Sequence, residues 1–193
     1  LMALPLTETE HMDDDELLRE MTCDPKFRRV LITDGRSASG QSLARALSAA
    51  GASIVFVGEA ESWRPYPGQQ ALRAIERVEV LPMDVTDTDS LQHLSGEIGG
   101  KVDILINNAR FVRPGGLIDR HDVIFARDEM EVNYLGLMRL AQTFGPAMRS
   151  RGADGIISAT AWVNLLSVYA LSNFPEYGSF SASNAAALSL SQC

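Results

Sequence analysis

The feature that most limits what this chain can fold into is an alternation: short runs of β-branched and aliphatic residues, each followed by a stretch of helical spacing. The first run is Val30-Leu31-Ile32-Thr33, followed by Gly and Ser and then by a helical stripe of Leu43, Ala46, Leu47 and Ala50. A second strand is expected at Ser53-Ile54-Val55-Phe56-Val57 and a third at Val78-Glu79-Val80-Leu81, with the polar, Pro-bearing residues 59–68 between them. Helical spacing returns at Leu91, Leu94 and Ile98. Val102-Asp103-Ile104-Leu105-Ile106 reads as a fourth strand, residues 130–150 as a long helix and residues 155–159 as a fifth strand. Strands this apolar that alternate with helices are buried on both faces, which requires a parallel sheet with helices on either side. The fold class is therefore α/β, a doubly wound parallel sheet, and 193 residues suit one domain rather than two.

The amino-terminal residues stand apart. Residues 1–24 carry eight acidic side chains against Arg19, so nearly all of the net charge of −8 lies there. Residues 1–28 are read as an acidic arm and residues 29–193 as the domain. Within the arm, Leu17, Leu18 and Met21 behind acidic capping residues suit a short amphipathic helix, either a solvated tail or an arm docking on a partner subunit. The domain itself is almost neutral and has no basic stripe, so no nucleic-acid partner is expected. No apolar run approaches the roughly 18 residues that span a bilayer, so no membrane partner is expected and the protein reads as soluble and cytoplasmic. Cys23 and Cys193 lie at opposite ends, and His11, His93 and His121 are scattered without ligand spacing, so no metal site is expected.

In open sheets of this kind ligands bind beyond the carboxyl ends of the strands, where the strand order reverses. After the first strand stands Thr33-Asp34-Gly35-Arg36-Ser37-Ala38-Ser39-Gly40; after the third, Asp84-Val85-Thr86; after the fourth, Asn107-Asn108-Ala109-Arg110; and on the long helix Val132-Asn133-Tyr134-Leu135-Gly136. Four motifs in this order, each at a strand end or on the long helix, resemble those of the short-chain dehydrogenase/reductase family: T-G-x-x-x-G-x-G, N-N-A-G and V-N-x-x-G among them. The resemblance runs from about residue 29 to the last residue and implies a Rossmann-type sheet that holds NAD or NADP.

By that resemblance the cofactor would meet Asp34, Arg36, Ser39, Gly40, Glu59, Asp84, Val85, Asn107 and Ala109. Glu59, about 20 residues past the turn, would accept from the adenosine ribose and favour NAD. An ungapped register instead puts Gly58 at that position. Two of the three turn glycines are replaced, by Asp34 and Ala38, which brings a carboxylate and a Cβ to the point where the backbone approaches a pyrophosphate. Weakened or lost dinucleotide binding is the expectation, with a turn that only caps its helix as the other reading. Arg110, where the family has Gly, either crowds the cleft or supplies an anion site.

The family reduces carbonyls with a Tyr that gives up its proton and a Lys four residues later that lowers the phenol's pKa; a Ser holds the carbonyl and an Asn anchors a water relay. Here Phe180 and Asn184 occupy the Tyr and Lys positions, and no Lys or Arg follows Arg151 in any register. Thr160 is expected to hold a carbonyl, Asn133 keeps the relay position or bridges the helix backbone, and Tyr177 is the candidate for an atypical proton donor. The segment from Trp162 to Phe180 reads as some six residues too long and is rich in aromatics, either covering the cleft mouth or packing on its own core. The resemblance implies a homologue without Tyr-dependent chemistry, a noncatalytic or regulatory subunit. An oxidoreductase with an unusual proton donor and a dinucleotide sensor are the other readings. The family continues beyond the helix of residues 184–192, so the fold is expected to be truncated at its carboxyl-terminal end. A homo-oligomer, or a heteromer with an active relative, is expected through helices near 130–150 and 180–192.

Overall fold

The computed structural model describes residues 24–119, 122–153 and 160–193. Five strands, β1 (Arg29–Ile32), β2 (Ile54–Glu59), β3 (Val78–Pro82), β4 (Ile104–Asn107) and β5 (Ala161–Asn164), form one sheet in the order β3-β2-β1-β4-β5. All neighbouring strands are parallel. The helices are α1 (Ala38–Ala49), α2 (Gln69–Arg73), α3 (Thr88–Ile98), α4 (Ile124–Met130), α5 (Gly136–Ala153) and α6 (Gly178–Ser191). A π-helical turn, Glu131–Leu135, joins α4 to α5. The acidic arm as far as residue 23 and the fifth strand expected over residues 155–159 lie outside the described residues. No described helix is long and apolar enough to cross a membrane.

Strand alternation builds two cores. Val30, Ile32, Val55, Val57, Ile104 and Ile106 pack with Ala44 of α1 and Leu72 of α2. Leu31, Phe56 and Leu105 point to the opposite face and meet Leu91 and Leu94 of α3 with Leu140 and Phe144 of α5. Both faces are thus apolar, as the near-continuous aliphatic runs require. On α1 the buried face runs through Gly40, Gln41 and Ala44, while Ala46 and Ala50 of the expected stripe are exposed. The helix is rotated because Gly40 sits directly on the Asp34 carbonyl, where a Cβ would come within 1.8 Å of the oxygen. Ser37 caps α1 by accepting from the Gly40 amide, and Asp87 caps α3 by accepting from Asp89 and Ser90. Helix α2 arises from the stretch that carries no helical pattern in sequence; Gly68, at φ +85°, turns the chain into it.

At the amino end of the sheet Asp103 ties three elements together. Its carboxylate accepts from the Arg29 backbone amide at 2.8 Å, from the Arg29 guanidinium at 3.2 and 3.3 Å, and from Arg151 at the end of α5. Burial alone would raise this carboxyl, but the hydrogen bonds and charge of Arg29, with the charge of Arg151, outweigh it and hold the group below its usual 3.8. The unfolded chain therefore binds this proton first: the stabilisation is complete above pH 3.8 and disappears as pH falls through the folded-state value. Asp103→Asn is expected to lower unfolding free energy by about 2 kcal/mol at neutral pH. In urea titrations the gap to the native chain should narrow as pH falls below 3.8, by the same linkage.

Candidate functional site

The strand order reverses between β1 and β4, the point at which sheets of this kind form a crevice. One hydroxyl and one carboxamide hold its two sides together. The Thr33 hydroxyl accepts from the amides of Asn108 and Ala109, both at 3.0 Å, and donates to Asn107 Oδ1 at 3.0 Å. Asn108 Oδ1 accepts from the Asp34 amide at 2.8 Å, and its Nδ2 donates to the Asp34 carbonyl at 2.7 Å and to Ser37 Oγ at 3.3 Å. The turn after β1 is therefore clamped to the loop after β4 on the side chains of the first N-N-A motif residues.

Beyond the clamp opens a cleft of about 310 Å³. Of the nine cofactor-binding residues expected from sequence, Asp34, Arg36, Asp84, Val85 and Ala109 line it, joined by Met83, Arg110, Phe111 and Val132. The other four do not. Gly40 is buried beneath the turn and Ser39 is exposed on α1, its Oγ 3.2 Å from that of Ser37. Asn107 is buried behind Thr33. Glu59 is 2% exposed and turned towards α2, where it accepts from Gln69 Nε2 and from Arg73 Nη2 at 2.8 Å. Burial and the Glu59 carboxylate together raise the neighbouring Tyr66 phenol to about 12. Nor does Gly58 leave room for a ribose-binding side chain: a Cβ there would stand 2.6 Å from Met83 Sδ and from the Thr33 carbonyl.

Within the turn, Asp34 Oδ1 accepts from the Arg36 amide at 2.9 Å. Arg36 points out of the turn to the loop after β2, donating to the carbonyls of Ala60, Glu61 and Arg64 at 3.0–3.1 Å, with its guanidinium 5.0 Å from the centre of the Tyr66 ring. Asp84 accepts from the Thr86 amide and hydroxyl rather than capping α3, a task that Asp87 performs.

The carboxyl-terminal half departs from the sequence reading in one respect that changes the site. Strand β5 begins at Ala161, and Asn164 stands beside Asn107 at the carboxyl end of the sheet. Thr160 therefore precedes the strand and lies at the opposite end of the sheet from the cleft, next to Ala161, whose amide donates to the Asp103 carbonyl. The place just past β5 belongs to Ser167, six residues beyond Ala161, and the apparent six-residue excess before Phe180 disappears. Sequence reasoning missed Ser167 because the aliphatic pair Ile156-Ile157 outweighed Trp162-Val163 as a strand signal. The constant distance to Phe180 was the clue that would have found it.

Ser167 faces α6. Its amide donates to Asn184 Oδ1 at 3.0 Å, its hydroxyl accepts from the Tyr169 amide at 3.2 Å, and Asn184 Nδ2 donates to the Phe180 carbonyl at 3.0 Å. Phe180 and Asn184 are 3% and 4% exposed. Asn133 lies at the centre of the π-helical turn and bridges backbone: it accepts from the Phe111 amide at 2.8 Å and donates to the Phe111 carbonyl and to Ser183 Oγ, each at 2.9 Å. Tyr177 stacks on Tyr169 with ring centres 4.9 Å apart and meets Phe180 edge-on at 6.3 Å; Phe174 lies 6.2 Å from Tyr177. The aromatic loop thus packs on itself and on Phe180. His93 forms an exposed pair with Glu97, and no metal-binding cluster exists among the described residues.

A parallel sheet of this order, with a cleft at the reversal point beside a strand-turn-helix, defines a Rossmann-type nucleotide-binding fold. The chain belongs to the short-chain dehydrogenase family, whose model matches residues 28–193. An uncharacterized oxidoreductase of Mycobacterium bovis is 34% identical over 175 residues, 86% of this chain and 49% of that protein. A fatty acyl-CoA reductase of Acinetobacter baylyi is 32% identical over 87% of this chain and 56% of its own length. The chain thus spans about half the length of these curated relatives. Among solved structures, a short chain dehydrogenase from Burkholderia cenocepacia in complex with NADP is 29% identical with a TM-score of 0.75, covering 88% of this chain and 66% of that one.

Removing the clamp is expected to cost more than any other single polar change near the cleft. Asn108→Ala leaves the Asp34 amide without a partner and the Asp34 carbonyl with only the Ser37 hydroxyl at 3.4 Å, and should lower stability by about 2–3 kcal/mol. The change should appear as a lower urea midpoint at unchanged slope.

Proposed function

We propose that this protein binds a nicotinamide dinucleotide in the cleft between β1 and β4 without running Tyr-dependent hydride chemistry, and that it serves as a noncatalytic or regulatory member of its family. One observation carries the reading. The positions where the resemblance calls for an acid and its tuning cation hold a phenyl ring and a carboxamide whose oxygen and nitrogen are both committed to backbone, on Ser167 and Phe180. A carboxamide so held neither titrates nor lowers a neighbouring pKa, and the sequence offers no Lys or Arg after Arg151 to replace it.

The cleft suits the ligand. Val85, Ala109 and Val132 give apolar walls for an adenine, and Asp84 stands at the rim. Around the loop after β2, Glu59 is buried and held by Arg73, Glu61 is paired to Arg64 at 3.5 Å, and Arg36 brings a further guanidinium to the loop's carbonyls, so this side of the cleft has no excess negative charge to repel a phosphate on the ribose, and the reading covers NAD and NADP alike. When bound, a nicotinamide supplies or accepts hydride; the chain's own residues here hold the cofactor and shape its surroundings. Association with a second copy or with an active relative through residues near 130–150 and 180–192 fits a regulatory role.

A second reading rests on Tyr177, which precedes α6 and meets Phe180 edge-on at 6.3 Å, as an unusual proton donor. The two readings separate in one assay. With NADH or NADPH and a panel of ketones and aldehydes, oxidation at the rate of the buffer is expected, unchanged in Tyr177→Phe; turnover abolished by that substitution would instead establish the enzyme. Calorimetric titration should show NAD and NADP binding within about tenfold of each other, since the carboxylates of the loop after β2 are already paired with arginines and leave no like charge to repel the extra phosphate.

A further inference from the structure

A strand-turn-helix normally holds a phosphate on its free amides; here four of the seven amides from Asp34 to Gly40 have other partners, and those of Ser37, Ala38 and Ser39 at the start of α1 are left. The amides of Asp34, Gly35, Arg36 and Gly40 donate respectively to Asn108 Oδ1, the Gly58 carbonyl, Asp34 Oδ1 and Ser37 Oγ. The Asp34 carboxylate adds a negative charge to the cleft wall. Arg36, the cation nearest in sequence, has its guanidinium on three carbonyls of the loop after β2 and over the Tyr66 ring.

Among the described residues one cation in the cleft is left uncommitted. Arg110 lies on the loop directly after β4, two residues past the clamping Asn108; it is exposed, lines the cleft, and makes no hydrogen bond or ion pair with any described residue. Ala109 fixes the backbone just before it, through its amide on Thr33 Oγ1 at 3.0 Å. We propose that Arg110 is the anion-binding side chain of this cleft, its guanidinium taking the pyrophosphate of the dinucleotide from the β4 side, opposite the amides that open α1. This rests on the dinucleotide reading given above. A guanidinium presents paired donors that match two phosphate oxygens, which an exposed amide row or an ammonium does not.

Placement also sets which phosphate is meant. Strand β1 lies between β4 and β2, so the loop after β2 stands two strands away, roughly 10 Å at the usual spacing. Arg110 therefore stands on the β4 side of the reversal point, where the diphosphate crosses, in a cleft that Ala60 lines from the β2 side. Its charge acts on a phosphate, so it acts on NAD and NADP alike and adds nothing that a nucleoside without phosphate can use.

The test is calorimetric titration of the whole chain with NAD, ADP-ribose and adenosine, each at low and high salt, for the native protein, Arg110→Ala and Arg110→Lys. Arg110→Ala is expected to weaken NAD and ADP-ribose by about tenfold or more, to flatten their salt dependence and to leave adenosine unchanged, with Arg110→Lys in between. Equal weakening of adenosine, or unchanged affinity and salt dependence for NAD, overturns the role of Arg110 while leaving dinucleotide binding in place. A native chain that binds none of the three removes the dinucleotide reading itself. Asp34→Gly provides the converse: it should tighten NAD and reduce the loss caused by Arg110→Ala, and additive effects of the two substitutions would overturn the proposal.

Discussion

The Thr33 hydroxyl and the Asn108 carboxamide stand at the junction on which the rest of the molecule depends. Strands β1 and β4 are neighbours in the sheet but lie more than seventy residues apart in sequence, and their carboxyl ends diverge into loops that leave in opposite directions. A backbone ladder cannot hold those loops, because pairing ends with the strands. The two side chains extend the pairing by one layer, satisfying amides and carbonyls that would otherwise be buried without partners. They also fix where the cleft opens, since Asp34 on one wall and Ala109 and Arg110 on the other leave the knot in set directions.

The same economy of polar groups runs through the carboxyl-terminal half. Asn133, Ser167, Ser183 and Asn184 form a chain of contacts that fastens the loop after β4, the loop after β5 and the π-helical turn to α6. Residues that the resemblance associates with proton movement are here occupied with backbone amides and carbonyls. Rings close the remaining space, Tyr169 and Tyr177 lying against Phe180. What the site gains in fixed geometry it loses in titratable groups.

Much of this was legible in the sequence because burial on both faces of a sheet leaves a plain mark. Val30 to Ile32 and Ile104 to Ile106 are aliphatic throughout, so the strands and their parallel arrangement could be read directly. That Phe180 and Asn184 stand where the resemblance has a phenol and a cation was equally plain, being a matter of residue type. Placement was harder. Ile156-Ile157 and Trp162-Val163 are both strand-like, and only pairing with β4 decides that Asn164 stands at the sheet's carboxyl end and Thr160 at the other. Glu59 was misplaced for another reason: its spacing from the turn was right, but Arg73 and Gln69 come from a helix with no sequence signature, and they draw the carboxylate away. Spacing locates a Cα; the direction of a side chain depends on partners that spacing does not show.

Asn184 carries a consequence for how this chain can change. Its oxygen is the acceptor for the Ser167 amide, and a lysine has no acceptor to offer. Exchanging that one residue for a lysine would orphan the amide and loosen the loop that carries Ser167. A tyrosine at position 180 would not repair this. A cation at position 184 therefore comes with a less well folded chain unless the loop after β5 finds another acceptor, so residue 184 and that loop can change only together.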